Sequence, residues 1–108
     1  VEDDREFARL ATTDARACAG LFSEDAEMVR SVCGKPETAK GRAAIAALLA
    51  RYPRGMSIEV TSHRGAGETH EAQAVVGGAD YRPSKETYRF VERGGLIVRF
   101  ETETRLRI

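Results

Sequence analysis

The chain has no excess of either charge, no apolar run long enough to cross a bilayer, and too few cysteines to staple a fold. Seventeen basic residues balance seventeen acidic ones, so no net field draws the protein towards nucleic acid or anionic lipid, and neither partner is expected. The longest apolar stretch, residues 43–50, is far short of the roughly 20 residues a spanning helix needs. No signal-peptide pattern opens the sequence, so the cytoplasm is the expected compartment; Val1 in place of Met leaves a processed or trimmed start open. The two cysteines, Cys18 and Cys33, lack metal-ligand spacing and read as small buried hydrophobes rather than a disulfide or a reactive thiol. The two histidines, His63 and His70, have no matching carboxylate spacing, so no metal is expected. With no nucleophile elbow, phosphate loop or zinc knuckle, no cofactor is expected either. Internal repeats, low-complexity tracts and linkers are also missing.

What is present is an ordinary globular composition, 42% hydrophobic and 31% charged over 108 residues, which suits one domain spanning residues 1–108. The first half reads as helices. Asp3 or Asp4 suits a helix start, with Phe7, Leu10 and Ala11 at helical spacing. Asp14 offers a new N-cap before Cys18, Leu21 and Phe22. Residues 26–33 read as a strand with Met28, Arg30 and Val32 on one face and Val29 and Ser31 on the other. Residues 34–40 read as a polar loop containing Pro36. Gly41 then opens the clearest helix, whose Ile45, Leu48, Leu49 and Tyr52 form one stripe stopped by Pro53 and Gly55.

From Ser57 the hydrophobic period falls to two, and the second half reads as antiparallel sheet. Ile58 and Val60 alternate with Glu59 and Thr61. A strand over residues 72–81 carries Gly77-Gly78, a bulge or bend that would let the sheet curl. Residues 82–85 read as a turn into a strand over residues 86–91, and residues 92–95 as a stronger turn into the last strand. There Leu96, Val98, Phe100, Thr102, Thr104, Leu106 and Ile108 share one face, and Ile97, Arg99, Glu101, Glu103, Arg105 and Arg107 the other. Mixed charges in that outer row suit either a solvated ladder or a homodimer built across a two-fold axis.

This order of elements, with three stretches of sequence, resembles the cone-shaped, cystatin-like nuclear-transport-factor-2-like superfamily, in its SnoaL-like polyketide-cyclase and ketosteroid-isomerase branch. Leu21-Phe22-Ser23-Glu24-Asp25-Ala26 resembles the family's exit from the second helix into the first strand. Gly41-Arg42-Ala43-Ala44-Ile45 resembles the start of its third helix, and Gly95-Leu96-Ile97-Val98-Arg99-Phe100 its last hairpin. The resemblance implies an α+β fold with three N-terminal helices on a curved, mainly antiparallel sheet, a conical pocket for a small apolar ligand, and often a dimer through the convex side of the sheet. It does not imply one reaction, because the superfamily holds isomerases, cyclases, dehydratases, hydrolases and members without known chemistry. Carried over residue by residue, the isomerases' base position falls on Arg30, their first-helix tyrosine on Glu6 and their neutral acid on or near Glu86. A guanidinium stays protonated and cannot accept a proton from carbon, so an orthodox ketosteroid isomerase is not expected.

The candidate site residues follow from facing. Arg30 either carries its charge into the pocket, to bind a carboxylate, phosphate or enolate or to pair with a neighbouring acid, or lies where its face has reached solvent. Glu86 shares the more apolar face of its strand with Tyr88 and Phe90, and in a dry cavity would be a general acid or base; otherwise it is a carboxylate at the cavity mouth. Asp80 is the second proton-moving candidate, its facing left open by the glycine bend. Tyr88 joins Arg30 in holding a substrate oxygen, and Phe100 and Thr102 are expected to line the cavity or simply to fill the core. His70 reads as solvated in a polar loop, and His63 as pointing away from the core with Glu59 and Thr61. The expected activity is cofactor-free acid–base chemistry on an apolar organic molecule; the alternative is a non-catalytic ligand-binding or dimerisation module.

Overall fold

The computed structural model describes residues 3–32, 34–52, 55–78 and 81–106, with backbone only at 3, 81, 82, 105 and 106. Three short helices precede and interrupt the first strands: α1 (Asp3–Leu10), α2 (Ala15–Ala19) and α3 (Arg42–Ala50). Six strands follow the order β1 (Phe22–Val32), β2 (Lys35–Lys40), β3 (Met56–Ala66), β4 (Thr69–Gly78), β5 (Tyr81–Arg93) and β6 (Leu96–Leu106). They form one sheet ordered β2-β1-β6-β5-β4-β3. Only the β1–β6 pair is parallel. This is the α+β class expected from the sequence.

Local chemistry sets the helix boundaries. Asp14 caps α2 by accepting a hydrogen bond from the Ala17 amide at 3.0 Å, which satisfies one of the free N–H groups of the first turn. Gly41 precedes α3 at φ 87°, a conformation that a β-carbon would strain. The sheet's last reversal is a two-residue turn at Gly94-Gly95, with φ of 59° and 80°. Positive φ at both positions matches the natural twist of a hairpin.

α1 packs against β3, and α3 against β1 and β2, with α2 between the helices. Both edges of the sheet therefore meet the helix layer. Between them the core is aromatic: Phe7 of α1 stacks on Phe100 at 4.4 Å between ring centroids and meets Phe22 and Tyr88 edge-on. Phe90 stacks on Phe100 at 5.5 Å. Such pairs add about 0.5–1.5 kcal/mol each to the gain from burial. The opposite face is charged, with Arg99 bonded to Glu27 and Glu101, and Arg89 to Glu71.

Several features differ from the sequence reading, beginning with Phe22, which opens β1 instead of belonging to the second helix. Residues 35–40 are a strand, not a loop: β2 is an edge strand pairing with β1 alone, where Pro36 removes no bond the sheet interior needs. β5 begins at Tyr81 and runs straight through the segment read as a turn. β4 begins at Thr69, so His70, Ala72, Ala74 and Val76 alternate on the buried face and His70 is not solvated. Finally, the extra residue in β3 between Val60 and Ser62 resets the alternation, which turns His63 to the inner face opposite Ala72. A similar shift between Val91 and Glu92 buries Ile97, read as outward. Bulges are invisible to strict period-two counting. The expected bend at Gly77-Gly78 is present as a register shift between Val76 and Gly78.

Candidate functional site

Strand register assembles the site. Arg30 on β1 pairs with Thr102 on β6, and Thr102 with Tyr88 on β5, so one row of inward side chains crosses three strands, about 10 Å of sheet. The next row brings Thr104 and Glu86 together. On the neighbouring β4, Tyr88 and Glu86 face Ala72 and Ala74, whose methyl groups add little bulk. From the helix layer, Tyr52, just past the end of α3, reaches this wall: the Arg30 guanidinium lies 4.5 Å above the centre of its ring. That cation–π contact is worth about 0.5–2 kcal/mol and holds both side chains in place.

The polar atoms of this wall are buried and incompletely bonded. Glu86 is 5% exposed, and one of its oxygens, Oε2, accepts a hydrogen bond from the Thr104 hydroxyl at 2.7 Å. Its other oxygen, Oε1, has no partner in good hydrogen-bond geometry, and neither do the hydroxyls of Tyr52, Tyr88 and Thr102, although the Tyr88 hydroxyl stands close enough to Glu86 to feel it as an acceptor. Among the described residues, these are all the buried side-chain nitrogen and oxygen atoms that lack a hydrogen bond. A buried polar atom without a partner costs about 1–3 kcal/mol, so four of them gathered on one wall call for a partner from outside the chain, ordered water or a ligand.

Electrostatics keeps both phenols protonated. Burial pushes the Tyr88 hydroxyl well above the usual tyrosine range, and the adjacent Glu86, through its charge and as a hydrogen-bond acceptor, pushes it further. Tyr52 is raised by the same two causes, with Arg30 opposing them. Each is therefore a hydrogen-bond donor. Arg30 is half-buried and makes no ion pair among the described residues. Solvent reaches none of the four unpartnered atoms, and grooves of about 270 to 380 Å³ are lined by other residues.

Of the residues singled out in the sequence, Arg30, Glu86, Tyr88, Phe100 and Thr102 all meet on this wall, Phe100 as part of the aromatic core behind it. Asp80 lies outside the described residues, as does Cys33. Glu6, at the isomerases' tyrosine position, is on the outer side of α1 and pairs with Arg9 at 2.8 Å. Tyr52 was legible as a buried stripe residue but not as a site residue. Its cue was the hydroxyl, since a tyrosine on a buried stripe needs a partner for its oxygen. Cys18 is inert: burial, then the Asp14 charge, push its thiol up to about 12.

Comparison with known proteins gives a consistent likeness of fold. A candidate ketosteroid isomerase of Kribbella flavida is 18% identical, with a TM-score of 0.81 over 98% of this chain and 77% of that one. A candidate polyketide cyclase of Sinorhizobium meliloti is 23% identical, with a TM-score of 0.76 over 94% of both chains. A cystatin-fold protein of Novosphingobium aromaticivorans is 16% identical, with a TM-score of 0.73 over 94% of both. At these identities the likeness concerns the fold and not a reaction. No functionally curated protein matches the sequence. The SnoaL-like domain model, however, matches residues 4–106, and on that match the chain belongs to the SnoaL-like domain family.

Proposed function

We propose that this domain is a small-molecule enzyme of the polyketide-cyclase-like kind, acting on an apolar organic carbonyl compound by cofactor-free acid–base chemistry. The observation that carries the reading is the wall of four unpartnered polar atoms around Glu86. They are the right types for the task. In this reading Glu86 Oε1 accepts a proton from carbon next to the ligand's carbonyl. Tyr88 and Tyr52, held protonated, donate hydrogen bonds to the oxygen as negative charge moves onto it. Thr102 supplies a further contact, and the Arg30 charge stabilises the enolate from the solvent side. The protonated Glu86 then returns its proton elsewhere on the same molecule. The aromatic rings behind the wall suit an apolar, planar substrate.

The test uses exchange rather than a known product. A panel of aromatic ketones in D2O would be followed by NMR for deuterium incorporation next to the carbonyl, with native mass spectrometry to find a co-purified ligand. Glu86→Gln is expected to lower exchange at least about 100-fold, the usual scale for a lost general base. Exchange that persists in that variant removes Glu86 from the role.

A binding module without chemistry is the second reading. It is favoured by the closure of the wall to solvent and by Arg30 in the isomerases' base position. It predicts a bound ligand that is released unchanged, with affinity altered by Tyr52→Phe and Tyr88→Phe but no exchange at carbon.

A further inference from the structure

The wall around Glu86 also carries a cation, Arg30, to which no acid is bonded among the described residues. Elsewhere on the inner face the charged groups meet one another: Asp4 lies 2.7 Å from His63, and His70 lies 3.1 Å from Glu92. Arg30 forms neither a hydrogen bond nor an ion pair among the described residues; what it has is the face of the Tyr52 ring, 4.5 Å from its guanidinium carbon. An acid stands within reach. Glu37 on β2 lies directly opposite Arg30 in the strand register, where side chains share a face with their β-carbons about 5 Å apart. Its carboxylate bonds Arg51 instead, just past the end of α3. The five N–H donors of the Arg30 fork are left without an acceptor in the chain.

Position and shape say what acceptor suits that fork. Of Arg30, Tyr52, Glu86, Tyr88 and Thr102, Arg30 alone is half-buried and the other four are buried, so a ligand entering from solvent meets the guanidinium first. Arg30 and Tyr88 stand two strands apart in one row, about 10 Å. Side chains leave a sheet roughly perpendicular to it, so the two heads address two groups of a ligand and not one oxygen. A planar fork laid on an aromatic ring matches a planar carboxylate through two parallel hydrogen bonds. A phosphate dianion would call for a second cation, and Arg51 is engaged with Glu37.

We propose that the ligand of this wall is an acid: an apolar carbonyl compound whose carboxylate is held by Arg30 while its carbonyl faces Tyr88 and Glu86. The inference rests on reading the wall as a ligand site and names the class of molecule that the site takes. It also gives Tyr52 a second task. Holding the guanidinium against the ring before the ligand arrives reduces the side-chain freedom lost on binding. Arg30 sets which molecules enter, and Glu86 acts on them.

Two probes on one skeleton test this: para-acetylbenzoate, with acid and ketone at opposite ends of a ring, and its methyl ester. Binding to the whole Glu86→Gln chain, in which the proposed base is absent, would be followed by NMR titration. The carboxylate is expected to bind at least about tenfold more tightly than the ester, the scale of a hydrogen bond to a charged group. Adding Arg30→Met keeps a stem over Tyr52 and removes the fork, so the preference should vanish. Arg30→Lys returns a charge without the fork and should restore part of it. Equal affinity for acid and ester, no binding of the acid, a preference that survives Arg30→Met, or one that Arg30→Lys does not restore at all overturns the proposal. Tighter binding of para-acetylphenyl phosphate overturns it as well. Deuterium exchange in the chain with Glu86 intact keeps the two readings apart. An Arg30-dependent preference without exchange retains the acid ligand and removes the chemistry; exchange without that preference does the opposite.

Discussion

Two polar clusters share the buried face of one sheet and differ in how completely they are bonded. Along Asp4, His63, His70 and Glu92 every facing atom has a partner. Around Glu86 four buried atoms have none. Both are built from acids and ring hydrogen-bonding groups set among aromatics, so composition does not separate them. The difference lies in what surrounds each: the first cluster draws on α1 and three strands that meet side by side, while the second faces the methyl groups of Ala72 and Ala74 across the sheet. A satisfied cluster stabilises its fold. An unsatisfied one costs stability in the free protein, and under the proposed function that polar capacity is kept for a ligand.

That contrast can be broken at several points. Phe100 touches both regions, ringing Tyr88 at 5.2 Å and backing Phe90, which in turn stacks on His70. Phe100→Ala should therefore cost about 3–5 kcal/mol in urea denaturation and loosen both clusters together. Asp4→Ala strands the His63 ring nitrogen in the interior, with an expected loss of about 3 kcal/mol near neutral pH. Alkaline pH probes the unsatisfied side. Cys18, Tyr52 and Tyr88 are all raised by burial; each contributes stability that is present below its unfolded value, near 9 or 10, and is lost as pH rises towards its folded one. Unfolding free energy should thus fall steeply above about pH 10, by up to about 1.4 kcal/mol per pH unit for each group, and less steeply in Tyr88→Phe, which a falling melting temperature would report.

Much of this was legible because β5 and β6 alternate without interruption where the site lies. Counting by two places Glu86, Tyr88, Phe100 and Thr102 on one face, and Arg30 joins them through the inward row of β1. The same counting fails for His63, because one extra residue between Val60 and Ser62 inverts the facing of everything after it. It fails for His70 because Glu68-Thr69-His70-Glu71 is locally polar, although His70, Ala72, Ala74 and Val76 do alternate. Asp4 reads as a helix-start carboxylate from its neighbours alone; its burial is a tertiary fact, set by how α1 lies on β3. β2 escaped notice because only Ala39 of its residues is buried, the mark of an edge strand.

The central claim is that the wall around Glu86 holds polar atoms with no partner in the chain. Tyr88→Phe removes one of them and little else, so urea denaturation of the ligand-free variant reads the claim directly. The variant should be as stable as the native protein, or more stable by up to about 1 kcal/mol. A loss of more than about 1 kcal/mol would mean that the Tyr88 hydroxyl is bonded within the fold, and the wall would then be ordinary core.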